Sequence, residues 1–283
     1  MLRERYSNTK LQAADLVVNE IQAAGGKAVA SYDNVVNGDR IIQTAIDAFG
    51  RVDVLINNAG ILRDISFKNM KDTDWDLITD AHLTGPFKTT RAAWPHFRRQ
   101  KYGRVINTTS AAGLFGNFGQ CNYSAAKLAQ VGFTETLAKE GAKYNILSNV
   151  IAPIAASRLT ATILPPDALA RMKPEWVIPL VAVLAHSSST ENGSIFQVGA
   201  GAIAKLRWER SHGLCLKPDQ TYTPSAILKQ WPQVNDFSRP EHPSGPANMV
   251  AKLEESLGIK SNEQGPEIRF DNKVALITGA SAG

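Results

Sequence analysis

From residue 11 to residue 198, two spacings of apolar residues alternate along the chain. LQAADLVVNEIQAA, residues 11–24, places them every three or four positions, as a helix with one buried face requires. VDVLIN, residues 52–57, is short and apolar almost throughout, the pattern of a strand covered on both faces. The first helix stops at Gly25-Gly26 and KAVASY, residues 27–32, then reads as a strand. A helix over 39–49 closes at Gly50, where a left-handed cap is expected, and VDVLIN follows. Residues 73–100 are helical in pattern but carry Pro86 and Pro95, which predict kinks or a break. RVINTT at 104–109 is a strand, 123–141 a helix and ILSNVI at 146–151 a strand. SIFQV at 194–198 is the last strand, after a helical region punctuated by Pro165-Pro166 and Pro174. Helices alternating with such strands predict an α/β fold with a doubly wound parallel sheet.

After about Gly213 the pattern dissolves into LKPDQTYTPSAILKQWPQVNDFSRPEHPSGPANM, rich in Pro and Ser, which reads as an irregular linker. A short amphipathic piece, MVAKLEESLG, interrupts it. The closing FDNKVALITGASAG reads as a terminal strand entering a glycine-rich turn. The organisation expected is therefore 1–212 as the α/β unit, 213–269 as linker and 270–283 as the opening of a further unit.

Composition narrows the function classes. The 283 residues are 43% hydrophobic and 20% charged, so a substantial core is possible, and the net charge of +5 is spread without long basic runs. That argues against nucleic acid and suits anionic small molecules. No apolar run is long enough for a membrane span, and MLRERYSNTK is not a secretory signal. Cys121 and Cys215 offer neither a disulfide framework nor metal-ligand spacing.

Tyr123 and Lys127 lie four apart in a predicted helix, so both reach one site; a nearby ammonium favours the phenolate and draws a tyrosine down from its ordinary pKa of about 10. Tyr6 and Lys10 share the spacing, so context must decide. Ser110 ends the strand RVINTTS, and in parallel α/β sheets ligands bind at the carboxyl ends of strands. Its hydroxyl there either caps a turn or holds a substrate oxygen. NNAG, residues 57–60, follows VDVLIN at another carboxyl end, where Asn and Gly permit a sharp turn or a close approach to a ring or ribose. Asp33, after KAVASY, either accepts from an adenine amine or caps the next helix. The basic stretch HFRRQKYGR, 96–104, reads as solvated cations at a helix end rather than a coenzyme A phosphate contact, and Trp208 as packing.

NNAG, Ser110 and Tyr123-x-x-x-Lys127 together resemble the short-chain dehydrogenase/reductase family, and with it a Rossmann-like fold. The longer phrases NNAGILRDISF, DWDLI, AAGLFGNFGQCNYSAAK and FQVGAGAIAKLRWERS, over about residues 8–212, resemble its peroxisomal β-oxidation branch. The resemblance implies NAD-dependent oxidation of a (3R)-3-hydroxyacyl-CoA to the 3-ketoacyl-CoA. It implies Tyr123 as base, Ser110 orienting the hydroxyl, and Lys127 holding the nicotinamide ribose and lowering the tyrosine pKa. Asn57, Ala59 and Gly60 would flank the cofactor and Asp33 the adenine; homodimerisation through the 73–100 and 123–141 helices and peroxisomal residence are implied as well. Many members carry Asn where this chain has His82, read here as structural. Ile154 and Ala156 depart from the branch, which usually has Asn and Gly there.

A complete unit of that family opens with a strand, a glycine-rich turn, a helix and a second strand ahead of the helix at Leu11. The fold expected is thus incomplete at its N-terminal βαβ, an excised piece, and residues 274–278 would fit the central slot beside 52–57. Two other functions stay open: an NADPH-dependent ketoreductase of the same family, and a non-catalytic dimerisation piece.

Overall fold

The computed structural model of the chain describes residues 2–155, 172–245 and 250–279, with side chains described at 13–155, 172–245 and 252–279. Ala156, Pro165, Pro166, the turn residues 280–283 and the side chains of Tyr6 and Lys10 lie outside the described residues. The chain divides into two compact units, Met1–Leu206 and Arg207–Gly283.

The first unit opens with helix α1, Leu2–Ala23, and reaches α2, Gly38–Phe49, whose C-cap Gly50 takes the left-handed conformation the sequence called for. Strand β1, Val54–Asn57, leads to α3, Asp72–Thr79, then a π-turn over Asp80–Thr84, then α4, Gly85–Gln100. The break expected at Pro86 is this π-turn, while Pro95 sits inside α4. Then come β2 (Gly103–Thr108), α5 (Ala111–Phe115), α6 (Cys121–Gly141), β3 (Ile146–Pro153), α7 (Ile178–Ala185) and β4 (Ile195–Gly199). A fifth strand, β5 (Ala202–Leu206), returns antiparallel, so SIFQV is not the last; Ala200 and Gly201, both at positive φ, make the tight turn.

The sheet runs in the order β1-β2-β3-β4-β5, with the first four strands parallel. Successive side chains of a strand point to opposite faces, so Val105 joins Ile42, Phe97 and Leu137 beneath α2, α4 and α6, while Ile106 joins Leu180, Leu184 and Phe196 beneath α7. Both faces are covered, which is why β2 is buried along its whole length.

Two expected strands do not form. Residues 27–32 belong to no ladder, and Val29 and Tyr32 are exposed. Residues 274–278 likewise form no strand, with Val274 99% and Leu276 93% exposed. β-propensity becomes a strand only where a partner takes its backbone groups, and neither stretch has one among the described residues.

Among the described residues of the second unit, the short helices α8 (Pro224–Lys229) and α9 (Trp231–Val234) stand where an irregular linker was expected, and α10 (Val250–Leu257) falls on the amphipathic piece MVAKLEESLG. Buried Asn262 accepts from the Lys217 amide at 2.9 Å and donates to the Lys217 carbonyl at 2.8 Å, stitching distant loops together. Glu241 meets Arg210, His212 and Lys252, and the hydrogen bonds from Arg210 and then Lys252 draw its carboxyl down to about 2. Trp208 is about half exposed in this unit.

Candidate active site

The carboxyl ends of β1 and β2 carry the residues the motifs singled out. Ser110, two residues past the end of β2, is the N-cap of α5, its Oγ accepting from the Ala112 amide at 3.2 Å, and its hydroxyl is near enough to the Tyr123 phenol to lower that group's pKa. The capping reading of that serine therefore holds. Lys127, one turn beyond Tyr123 on α6, is buried and donates from Nζ to the Thr108 carbonyl at 2.8 Å, while the Thr109 hydroxyl donates to the Lys127 carbonyl at 2.6 Å. These two bonds pin α6 to the end of β2 and set Tyr123 beside Ser110.

The electrostatics differ from the sequence expectation. Burial pushes the Tyr123 phenol up from its ordinary pKa; the Ser110 hydrogen bond pulls it down and the Asp64 carboxylate adds to the rise. Lys127 does not lower it here. Its Nζ lies 5.6 Å from the Tyr123 ring centroid and donates to Thr108, and burial lowers Lys127 itself to about 8. The free site thus holds a protonated phenol at neutral pH.

Asn57 is a structural tie. Its Nδ2 donates to Asn107 Oδ1 at 2.8 Å and Thr90 Oγ1 at 3.1 Å, its Oδ1 accepts from Thr89 Oγ1 at 2.7 Å, and Asn107 Nδ2 donates on to Thr134 at 2.9 Å. One polar chain thereby locks α4, β1, β2 and α6 together, and the side chain of Asn57 is used within it. Beyond Asn57 the turn is open: Ala59 and Gly60 are exposed, and Asn57, Asn58 and Ala59 line a cavity of about 120 Å³ with Ile41, Gly85 and Pro86. Asp33 stands apart from these hydrogen bonds, paired with Arg40 at 3.7 Å; it is not the cap of α2, whose N-cap position is Asn37.

His82 lies in the π-turn, 2% exposed, with its ring perpendicular to Tyr123. Burial, then the Lys127 charge, lower it to about 4, against a pull upward from the Ile61 backbone, so it is neutral at physiological pH. Its carbonyl accepts from Gln130 Nε2 at 2.6 Å. Pro86, four residues on, has no N–H to offer that carbonyl, which leaves it free for the glutamine. Gln130 was missed from the sequence although it is seven residues past Tyr123 and on its helix face. Also missed were Asp64, which accepts from Gln120 Nε2 at 3.0 Å on both oxygens, and buried Asn122, which donates to the Asp74 carbonyl at 3.1 Å. Pairs this distant in sequence have no local signal.

The stretch 96–104 leads into the amino end of β2, the opposite end from Ser110. Arg98 donates to the Tyr144 hydroxyl at 2.9 Å and Arg104 is buried over Tyr102. It therefore does not belong to this site.

The residues present fit the nicotinamide and ribose of a dinucleotide. Among the described residues, Lys127 uses one of its three ammonium donors, on Thr108, and the buried Thr108 Oγ1, His82 Nδ1 and Gln130 Oε1 have no partner. Each is polar capacity that a bound group can use.

A family model described as short chain dehydrogenase matches residues 6–163. The peroxisomal hydratase-dehydrogenase-epimerase of Neurospora crassa is 70% identical over 273 residues, 96% of this chain and 30% of that protein. This chain thus spans about 30% of that relative's length. Among solved structures, the full-length peroxisomal multifunctional enzyme type 2 of Drosophila melanogaster superposes with a TM-score of 0.76 at 42% identity, over 87% of this chain and 43% of that one. A short chain dehydrogenase from Mycobacterium avium gives 0.71 at 37% identity, over 82% of both chains.

Proposed function

Since the chain belongs to the short-chain dehydrogenase family, we propose that its site oxidises a (3R)-3-hydroxyacyl-CoA to the 3-ketoacyl-CoA with NAD. The observation that carries the reading is Lys127, buried and fixed by Thr108 at the carboxyl end of β2, one turn from Tyr123 on α6, with Ser110 capping α5 at the same strand end. When bound, the nicotinamide supplies the hydride acceptor. Ser110 orients the substrate hydroxyl, and Tyr123, once deprotonated, takes its proton. Lys127 directs its unused ammonium donors to the ribose, while Ala59 and Gly60 flank the cofactor and Asp33 serves the adenine. Asn57 acts through the backbone turn it anchors, since its side chain is committed to Asn107, Thr89 and Thr90. Peroxisomal β-oxidation is the setting this reading implies, because the Neurospora and Drosophila relatives are peroxisomal enzymes by name. The exposed apolar positions Phe87 on α4 and Leu128 on α6 support a homodimer through these helices.

Tyr123→Phe is expected to lower kcat by about 10²–10⁴-fold, the span of a positioned acid or base, in an assay of hydroxyacyl-CoA oxidation. Activity within tenfold of wild type would remove the tyrosine from the mechanism.

A second reading has its own support: the raised Tyr123 pKa keeps the phenol protonated, which suits donation to a ketone and hence NADPH-dependent reduction. Competing NAD against NADP, and NADH against NADPH, in both directions decides between them. Preference for NAD is expected.

A further inference from the structure

His82 is a buried titratable group that the proton transfer just assigned does not use, and its placement is over-determined. Its Nε2 lies 2.7 Å from the carbonyl oxygen of Ile61 and 3.1 Å from the Ile61 amide nitrogen. A single ring nitrogen either donates or accepts, and the shorter contact fits Nε2–H donating to the carbonyl. On its other side the imidazole stands at 86° to the Tyr123 ring, with centroids 5.0 Å apart. The ring also fills the space above Gly60: a Cβ built there would sit 2.5 Å from His82 Cε1 and 3.3 Å from Nδ1. Gly60 is a glycine because the imidazole occupies the room a side chain needs. Beneath the ring, the His82 carbonyl is anchored to α6 by Gln130.

We propose that His82 is a positioning residue, a wedge that fixes the separation between the turn at residues 57–60 and the phenol of Tyr123. The proposal rests on Tyr123 being the proton-transfer group. In a reaction where hydride and proton leave adjacent atoms of one substrate, the turn that flanks the cofactor and the phenol must keep a fixed relation, and small displacements are costly.

The test reads geometry directly, in the full chain labelled with ¹³C at tyrosine Cζ, with Tyr123→Phe used to assign the signal. His82→Ala is expected to shift the titration midpoint of Tyr123, because the wedge between the turn and the phenol is removed. Gly60→Ala is expected to shift the same midpoint and lower Tm in the wild-type background. Its effects should largely vanish in the His82→Ala background, a non-additivity that contact between the two residues requires. His82→Asn, smaller but still a donor, repeats the readings should the alanine variant not fold. A histidine that merely fills space would lower Tm and leave the Tyr123 midpoint in place. That result, or an additive cycle, overturns the proposal. If instead Tyr123→Phe keeps full activity while the midpoint and cycle behave as expected, the catalytic reading fails and the wedge stands.

Discussion

Three side chains, Tyr123, Lys127 and His82, share a small buried volume and are held away from their ordinary protonation behaviour by it. The cost appears in stability. His82 falls from 6.5 to about 4 on folding, so between those values the unfolded chain binds the extra proton and stability is lost as pH drops from 6.5 toward 4. Lys127 falls from 10.5 to about 8, so its ammonium destabilises the fold fully below pH 8, and stability recovers as pH rises from 8 to 10.5. Denaturant titrations across pH are expected to show both rising windows, with His82→Asn flattening the lower and Lys127→Met the upper. Lys127→Met should also be more stable than wild type at pH 7 by on the order of 2 kcal/mol, after the lost bond to Thr108 is counted, while losing activity. Equal stability slopes in wild type and variants would remove burial as the cause.

At the scale of elements, the site depends on ties between helices and strand ends more than on any one of them. The chain from Thr89 and Thr90 through Asn57 and Asn107 to Thr134 crosses α4, β1, β2 and α6. Asn107→Ala breaks it in the middle and strands the buried Thr134 hydroxyl. The expected loss is roughly 2–4 kcal/mol, seen as a lower denaturant midpoint with unchanged slope. A loss below about half a kcal/mol would mean that water replaces the asparagine, contrary to a sealed network. The π-turn is the second such device. It turns His82 inward, and Pro86 withholds the N–H that its carbonyl would otherwise receive. The sequence announced a break at Pro86 but carried no sign of its direction, because that depends on Gln130 and Ile61, both distant in the chain.

For the whole molecule, the proposed dimer supplies the prediction. Phe87 and Leu128 are each about 40% exposed on neighbouring helices α4 and α6, an apolar surface suited to a second copy. Sedimentation equilibrium is expected to give a dimer for wild type and a monomer for Phe87→Glu with Leu128→Glu. An unchanged dimer in the double variant would place the interface elsewhere.

The sequence by itself determined the α/β class, the positions of β1 to β4, the closure of α2 at Gly50, and the grouping of Ser110, Tyr123 and Lys127. All of these follow from information within a few residues: apolar period, glycine chemistry and helical spacing, together with the rule that parallel sheets bind at strand ends. Tertiary structure alone decided the rest. Residues 27–32 and 274–278 have strand composition and no ladder, because pairing is a property of neighbours. The Tyr123 phenol shifts up rather than down because desolvation outweighs the pull of Ser110, while the Lys127 ammonium is turned to Thr108. Asn57 became a tie, and His82 a packed partner of Gly60 and Tyr123, through contacts more than twenty residues apart in the chain. Local pattern specifies which elements form and which groups face one site; burial and long-range contact specify what those groups are able to do there.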